Sequence, residues 1–306
     1  MVDFPRFVPT FHHEPYPAID PSRTDLRGKV VMITGGASGI GRATCRAFAQ
    51  AGVRDLIILD RNQKALFSVR DELNRDHGTQ TTVHSFVANI VDAPLVDEIP
   101  ATVGSEIGSI DILVCNAGYQ SAPATLGKDQ AQDWWHTFEV NVRGSYNLTR
   151  AFLRDAKPGA VLINLSSVLT HWHTSEGYLD GHSSYSASKI AITRTMEIVQ
   201  RENPEIRVVN VHPGLIATAM SAKAGNTALS TDNGMDPILD FAHSAADTTI
   251  KVNLPAHFIV WAAGPEADFL SGRLVWANWD VEELKLKKEE IIQNDLLTLG
   301  LRGFEY

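Results

Sequence analysis

An alternation that begins at Lys29 restricts the fold more than any other feature of the chain. Short β-branched apolar runs (Val30 to Ile33, Leu56 to Leu59, Val83 to Val87, Ile110 to Cys115, Val161 to Leu165, Val208 to Val211) are separated by longer amphipathic stretches near 39–51, 62–76, 92–106, 131–156 and 184–202. Runs that stay apolar at successive positions suit strands buried on both faces. Strands alternating with helices imply a parallel sheet covered on each side. The expected fold class is α/β, a single doubly wound parallel sheet with helices on both faces.

The ends of the chain break this pattern. Residues 1–28 carry Pro5, Pro9, Pro15, Pro17 and Pro21 with aromatic residues and no periodicity, which predicts an extended arm. After Pro213 a Gly, Ser, Asn and Asp-rich stretch predicts a loop over about 215–247 that covers a site. A helix candidate (Pro255 to Ala263), a strand candidate (Arg273 to Trp276) and a charged amphipathic stretch (Val281 to Leu297) follow. No linker separates them, so the expectation is an arm (1–28), one domain (29–280) and a C-terminal helix and tail (281–306).

Composition narrows the function. The 306 residues are 44% hydrophobic and 21% charged, as in an ordinary globular protein with a sizeable core. A net charge of −9 repels phosphate backbones and anionic lipid, so neither nucleic acid nor membrane is an expected partner, and a small molecule is. No stretch approaches the ~20 apolar residues of a membrane span, and Met1 to Pro21 has no basic region followed by an apolar run, so a signal peptide is not expected there. Cys45 and Cys115 each sit in an apolar stretch, which excludes a disulfide scaffold and fits a reduced, cytoplasmic setting. The glycosylation patterns at Asn147 and Asn164 fall in segments expected to be buried.

The first strand runs into Thr34-Gly35-Gly36-Ala37-Ser38-Gly39-Ile40-Gly41, and an amphipathic helix follows at once. Glycines there let the backbone approach a pyrophosphate, and the free amides and dipole of the helix N-terminus attract its charge. The second strand ends at Asp60, nineteen residues after Gly41, where a Rossmann dinucleotide-binding unit places its ribose-binding acid. A carboxylate there accepts bonds from both ribose hydroxyls of NAD and repels the 2′-phosphate of NADP, so NAD is expected over NADP. Arg61 and Arg42 are the basic residues that can reverse this preference. The other reading of Asp60 is a turn residue or cap before Asn62.

Tyr185 and Lys189 stand four apart in a helical window, on one face. A phenol with an ordinary pKa of ~10 is a poor base, and a nearby ammonium lowers that value. The strand Val161 to Leu165 ends at Ser166-Ser167, where a hydroxyl can meet a substrate oxygen, and Asn116-Ala117-Gly118 closes another strand at the same edge. Asn141 is an amide within a helix window, either an internal residue or part of the site.

From about Lys29 to Trp276 the chain resembles the short-chain dehydrogenase/reductase family. The cradle Thr34 to Gly41, Asn116-Ala117-Gly118, the Ser167, Tyr185 and Lys189 set, and Pro213-Gly214 with Thr218 agree with it in order. The resemblance implies that Tyr185 is the general acid/base, that Lys189 lowers its pKa and holds the nicotinamide ribose, and that Ser167 orients the substrate oxygen. Asn141 would complete a tetrad by holding a relay water through its backbone. Cofactor contacts are implied at Gly35, Ser38, Gly39, Ile40 and Gly41, at Asp60 and Arg61, and at Asn89 and Ile90 beside the adenine. Asn116, Ala117 and Gly118 would lie near the adenosine ribose, and Pro213, Gly214, Ile216 and Thr218 by the carboxamide. A homodimer or homotetramer through helices near 131–156 and 184–202 is also implied.

Departures from the pattern matter too. The step from Ser167 to Tyr185 is several residues long for the family, and this loop faces the substrate side. Its His171, His173, His182, Glu176 and Asp180 can be imagined around zinc. No metal is expected, because loop or pocket-wall roles suit them better, and Trp172 and Tyr178 suit a planar or apolar ligand. Ser166 competes with Ser167 for the catalytic role. Asn89 stands where the family usually has an acid, and Val275 to Asp280 replaces the usual glycine-rich ending. The arm and tail together resemble fungal members, some tied to secondary metabolism. The expected activity is an NAD(H)-dependent interconversion of a secondary alcohol and a ketone on a medium-sized apolar or aromatic molecule. The alternatives are a redox-neutral epimerase or cyclase that retains its nicotinamide, and a nucleotide-binding scaffold without turnover.

Overall fold

The computed structural model describes residues 7–172, 179–218, 220 and 250–301. Seven parallel strands form one sheet: β1 Val30–Thr34, β2 Asp55–Asp60, β3 Thr82–Val87, β4 Ile112–Cys115, β5 Val161–Leu165, β6 Arg207–His212 and β7 Leu274–Trp276. Their spatial order is β3-β2-β1-β4-β5-β6-β7. The helices are α1 Gly39–Gln50, α2 Gln63–His77, α3 Ala93–Glu106, α4 Ala131–Phe138, α5 Ser145–Asp155, α6 Ser183–Glu202, α7 Asn253–Ala263, α8 Val281–Leu286 and α9 Lys288–Gln293. This is the doubly wound Rossmann arrangement. The order reverses between β1 and β4, which opens a crevice at their carboxyl ends.

Strand parity builds both cores at once. Val31 and Ile33 of β1 point into the layer with α1, α2 and α7, while Val30 and Met32 point into the layer with α3, α5 and α6. Both layers are dry, which is why these strands read as continuous apolar runs. Asn147 and Asn164 are buried, so neither glycosylation pattern is available. Cys45 and Cys115 are free and buried, and burial pushes the Cys115 thiol up to about 12.

The helix expected over 131–156 is interrupted. Glu139–Gly144 winds as one π turn between α4 and α5, a widening that often accompanies a functional position. Gly144 lets this turn sit against the loop after β3, since a Cβ there would stand 2.6 Å from the Ile90 side chain.

Residues 7–28, expected as an extended arm, are not extended throughout. They carry short 3₁₀ turns at Pro17–Ile19 and Pro21–Arg23, and Val8, Ile19 and Leu26 are buried in the α7-side core. Each such side chain contributes at most about 1.5–3 kcal/mol, enough to hold a segment that prolines have already stiffened. Phe11 bridges Trp279 in antiparallel fashion. Phe7 packs tilted against Trp279 with ring centroids 5.3 Å apart, and His12 meets Asp280 at 2.8 Å. The charged stretch after Val281 divides into α8, capped by Asp280 Oδ1 on the amides of Glu282 and Glu283, and α9. Among the described residues, no helix is long and apolar enough to cross a membrane.

Candidate active site

At the reversal of strand order lies a cleft of about 310 Å³. The cradle forms one wall. Gly35 and Gly36 donate their amides to the Leu59 carbonyl at 2.8 and 3.3 Å, bending the chain back over β2. Ser38 is the N-cap of α1 and its side chain makes no cap hydrogen bond, so the helix opens toward the cleft with its amides uncovered by that hydroxyl. Gly41 cannot be replaced there: a Cβ would stand 2.1 Å from the Gly35 carbonyl oxygen and 2.5 Å from Asn116 Nδ2. Asn116 braces the same turn, donating to the carbonyls of Thr34 and Gly35 at 2.8 and 3.1 Å.

Asp60 ends β2 at the cleft's rim. Its Oδ2 accepts from the Ala37 amide at 3.1 Å and its Oδ1 from the Asn62 amide at 2.8 Å. It shapes the turn before Asn62, which itself caps α2, and its other oxygen faces the cradle. Arg61 is exposed beside it and lines the cleft. Arg42 does not. Its guanidinium meets Glu72 at 2.5 Å, together with Arg46, and this pairing holds the Glu72 carboxyl below its usual range despite burial.

Of the residues singled out in the sequence, Gly35, Ser38, Gly39, Ile40, Gly41, Asp60, Arg61, Asn89, Ile90, Asn116, Ala117, Gly118, Tyr185, Lys189, Pro213 and Thr218 line this one cleft. Gly214, Ile216, Asn141 and Ser167 stand outside its lining. Ile216 is buried. Asn141 lies behind the wall, where its Oδ1 accepts from the Tyr119 amide and its Nδ2 donates to the Tyr119 carbonyl, both at 2.8 Å, and to Ser188 Oγ at 2.9 Å. The amide thus clamps the chain after Gly118 to α6, which explains a polar side chain inside the π turn.

The Ser167 hydroxyl stands beside the Tyr185 phenol, near enough to act on its pKa as a hydrogen-bond partner. Ser166 lines the cleft, and its hydroxyl bonds Thr193 Oγ1 at 2.7 Å. Lys189, one turn beyond Tyr185 on α6, donates to the Leu165 carbonyl at 2.5 Å, and its Nζ lies 5.7 Å from the Tyr185 ring centroid. Burial pushes the phenol up to about 12, a rise that the Ser167 bond reduces without cancelling. Burial also lowers Lys189 to about 8. The expected lowering of the phenol by the ammonium is not among the influences on it, which are burial and Ser167. Desolvation acts on both groups, and the ammonium is directed at a carbonyl rather than at the phenolic oxygen.

Other lining residues escaped the sequence reading. Tyr119 directly follows Asn116-Ala117-Gly118, and its phenol bonds the Asp133 carboxylate. Met220 lies two positions past Thr218. Adjacency to a recognised motif was the available signal in both cases. His171 pairs with Thr170 Oγ1 and Trp276 Nε1, whereas His182 Nδ1 meets Gln120 Nε2 at 3.0 Å, so these two histidines have separate partners. His173, Glu176 and Tyr178 lie outside the described residues, as does most of the loop expected over 215–247.

A parallel sheet whose reversal point carries a glycine cradle, an acid at the end of β2 and neighbouring Ser, Tyr and Lys side chains at the seam has the features of a Rossmann-fold oxidoreductase of the nicotinamide-binding kind. The family model for short chain dehydrogenases matches residues 29–229, and the chain belongs to that family. A short chain dehydrogenase/reductase of Claviceps purpurea is 33% identical over 279 residues, covering 90% of this chain and 86% of its own. The Aspergillus aculeatus relative AacuD, also a short chain dehydrogenase/reductase, is 31% identical and covers 97% of each chain. Among solved structures, L-sorbose reductase from Gluconobacter frateurii, crystallised with NADPH and L-sorbose, superposes with a TM-score of 0.69 at 25% identity, covering 83% of this chain and 96% of its own.

Proposed function

We propose that this chain is an NAD(H)-dependent alcohol dehydrogenase or ketone reductase acting on a medium-sized apolar or aromatic secondary alcohol or ketone. One observation carries the reading: Tyr185, beside Ser167 and one turn from Lys189, lines the same cleft as the cradle. The donor set fits a dinucleotide. The α1 N-terminus and the cradle amides would hold the pyrophosphate, Asp60 the adenosine ribose, and Asn89 and Ile90 the adenine. Tyr185 and Lys189 would meet the nicotinamide ribose, with Pro213, Gly214, Ile216 and Thr218 at the carboxamide.

When bound, the nicotinamide supplies or takes the hydride at the carbinol carbon. This chain's own residues move the proton. In reduction the substrate carbonyl oxygen accepts hydrogen bonds from Ser167 and from the Tyr185 phenol, which is protonated at neutral pH, and the phenol gives its proton as charge builds on that oxygen. In oxidation the phenolate takes the proton from the alcohol. Its formation needs positive charge nearby, which Lys189 provides once turned from the Leu165 carbonyl. Asn141 fixes Tyr119 and Ser188, and so the geometry of the helix that carries Tyr185.

Asp60 favours NAD, because a 2′-phosphate would meet a carboxylate. The bound NADPH of the sorbose reductase belongs to that protein, and the exposed Arg61 is the residue by which this chain would follow it. Titration of the purified protein with NADH and NADPH, followed by nicotinamide fluorescence, decides. Tighter NADH binding supports the reading, and tighter NADPH binding reassigns the site to Arg61. Exposed Trp135, Tyr146, Ile190 and Ile198 on α4, α5 and α6 support a homodimer or homotetramer through these helices, which light scattering tests. Two free, buried cysteines suit a reducing, cytoplasmic setting.

A further inference from the structure

Beyond the cleft, the carboxyl edge of the sheet holds one buried imidazole to which the reaction above gives no part. His212 closes β6 and is 4% exposed. Its backbone is paired on the β7 side, with the Ala277 amide donating to its carbonyl at 2.9 Å. Its side chain turns toward β5, where Nδ1 accepts a hydrogen bond from the Val168 amide at 3.1 Å. An Nδ1 that accepts from an amide leaves the proton on Nε2, so the ring is neutral in a single tautomer. Burial, with the neighbouring His171 adding to it, pushes its pKa down to about 3. Trp276 covers it edge-on, ring centroids 4.9 Å apart at 77°.

The Val168 amide matters because of the residue before it. Ser167 is the N-cap of the 168–170 turn. Its Oγ accepts from the Leu169 amide at 3.2 Å, and its carbonyl accepts from the Thr170 hydroxyl at 2.7 Å. Those bonds leave the Val168 amide as the donor that Ser167 does not serve, and Val168 is 3% exposed. A buried amide must find a partner. Without an acceptor at Nδ1, the peptide joining Ser167 to Val168 would rotate toward another one and carry the Ser167 hydroxyl away from the Tyr185 phenol.

We propose that His212 is a positioning residue for Ser167, holding the Val168 amide so that the Ser167 hydroxyl stays on the Tyr185 phenol and the substrate oxygen. This rests on the Ser167 and Tyr185 roles proposed above. The experiment is a double-mutant cycle on the full chain, with kcat and KM measured for one reducible ketone and NADH affinity followed by fluorescence. His212→Leu is expected to lower kcat by about tenfold to hundredfold. NADH affinity should stay within about twofold, since the cradle is not touched. His212→Asn, whose Oδ1 stands near the place of Nδ1, restores most of the loss. In a Ser167→Ala background His212→Leu changes kcat by less than about twofold, because the residue it positions is gone.

Equal losses in both backgrounds, no rescue by Asn, or an unchanged kcat in His212→Leu each overturn the proposal. ¹⁵N-labelled imidazole signals of the wild-type chain test it without turnover, and stand in should His212→Leu not fold. A neutral Nε2–H ring that does not titrate from pH 5 to 8 is expected, and a ring that titrates there or carries its proton on Nδ1 sinks it. Should Ser167→Ala retain wild-type turnover, the reading of the active site fails, and the imidazole signals still decide whether the His212 to Val168 bond exists.

Discussion

The two sides of the cleft are made of different materials. On the cradle side the wall is backbone: the Gly35 and Gly36 amides reach the Leu59 carbonyl, and the side chains of Asn116 and Asp60 brace that turn from behind. On the Tyr185 side, side chains from distant segments converge, with Ser167 after β5, Tyr185 and Lys189 on α6, and His212 at the end of β6. A site made of backbone tolerates little change at its glycines and much change elsewhere. A site made of side chains has the reverse sensitivity.

The largest effect should come from the seam between them. Tyr185→Phe is expected to cut turnover by about 10²–10⁴-fold while NADH still binds, measured by steady-state rates alongside fluorescence titration. A variant that stays active breaks the proposed roles. Gly41→Ala works from the opposite wall. Its added Cβ would clash with the Gly35 carbonyl, so NADH affinity should fall by more than about tenfold and stability by about 1–3 kcal/mol, read by titration and by thermal melting. Normal binding in that variant would mean that the cradle is not the nucleotide site.

Asp60→Ser sharpens the comparison at the rim. NADH affinity should drop by about tenfold, the scale of a charge-assisted pair of hydrogen bonds, while NADPH affinity holds or rises. Parallel loss of both cofactors would reduce Asp60 to its turn role.

Lys189 gives a pH signature. Its folded pKa of about 8 lies below its ordinary value, so between these values the unfolded chain binds more protons than the folded one. Stability of the cofactor-free protein from this group is therefore full above the unfolded value and is lost as pH falls through about 8. The slope is at most about 1.4 kcal/mol per pH unit. Melting curves of wild type against Lys189→Met should diverge in this window, and identical pH profiles would show that the ammonium is not desolvated. The smallest effect belongs to Phe11→Ala, which removes an edge contact to Trp276. About 1–2 kcal/mol of stability should go with NADH affinity unchanged.

The same contrast explains what the sequence revealed. The cradle occupies eight consecutive residues before a helix, and Asp60 follows at a set interval, so local spacing exposed them. Tyr185 and Lys189 share one helical face and were equally visible. The all-apolar strands announced a sheet buried on both sides. Other features depend on tertiary placement. That Ser166 is held by Thr193 on α6 is one such feature. Arg42 is removed from candidacy by Glu72, thirty positions away. The rise of the Tyr185 pKa comes from desolvation, which no spacing records. The arm looked unstructured because prolines and aromatic residues without a period give no helix or strand signal, although their partners lie at the other end of the sequence.

Those partners also set an order of events during synthesis. The arm's hydrogen bonds to Trp279 and Glu283 span 263 and 273 residues. A ribosome adding 5–20 residues per second needs roughly 15–50 s to supply them. Until then Phe7, Val8 and Phe11 have no Trp276 or Trp279 to cover them and present bare apolar surface, while the β1 to β4 half of the sheet already has its sequence available. The edge bearing β7, and with it the Trp276 roof over His212, is the last part of the molecule to close. A nascent chain halted before Trp276 would leave the arm's apolar side chains without their cover and open to proteases.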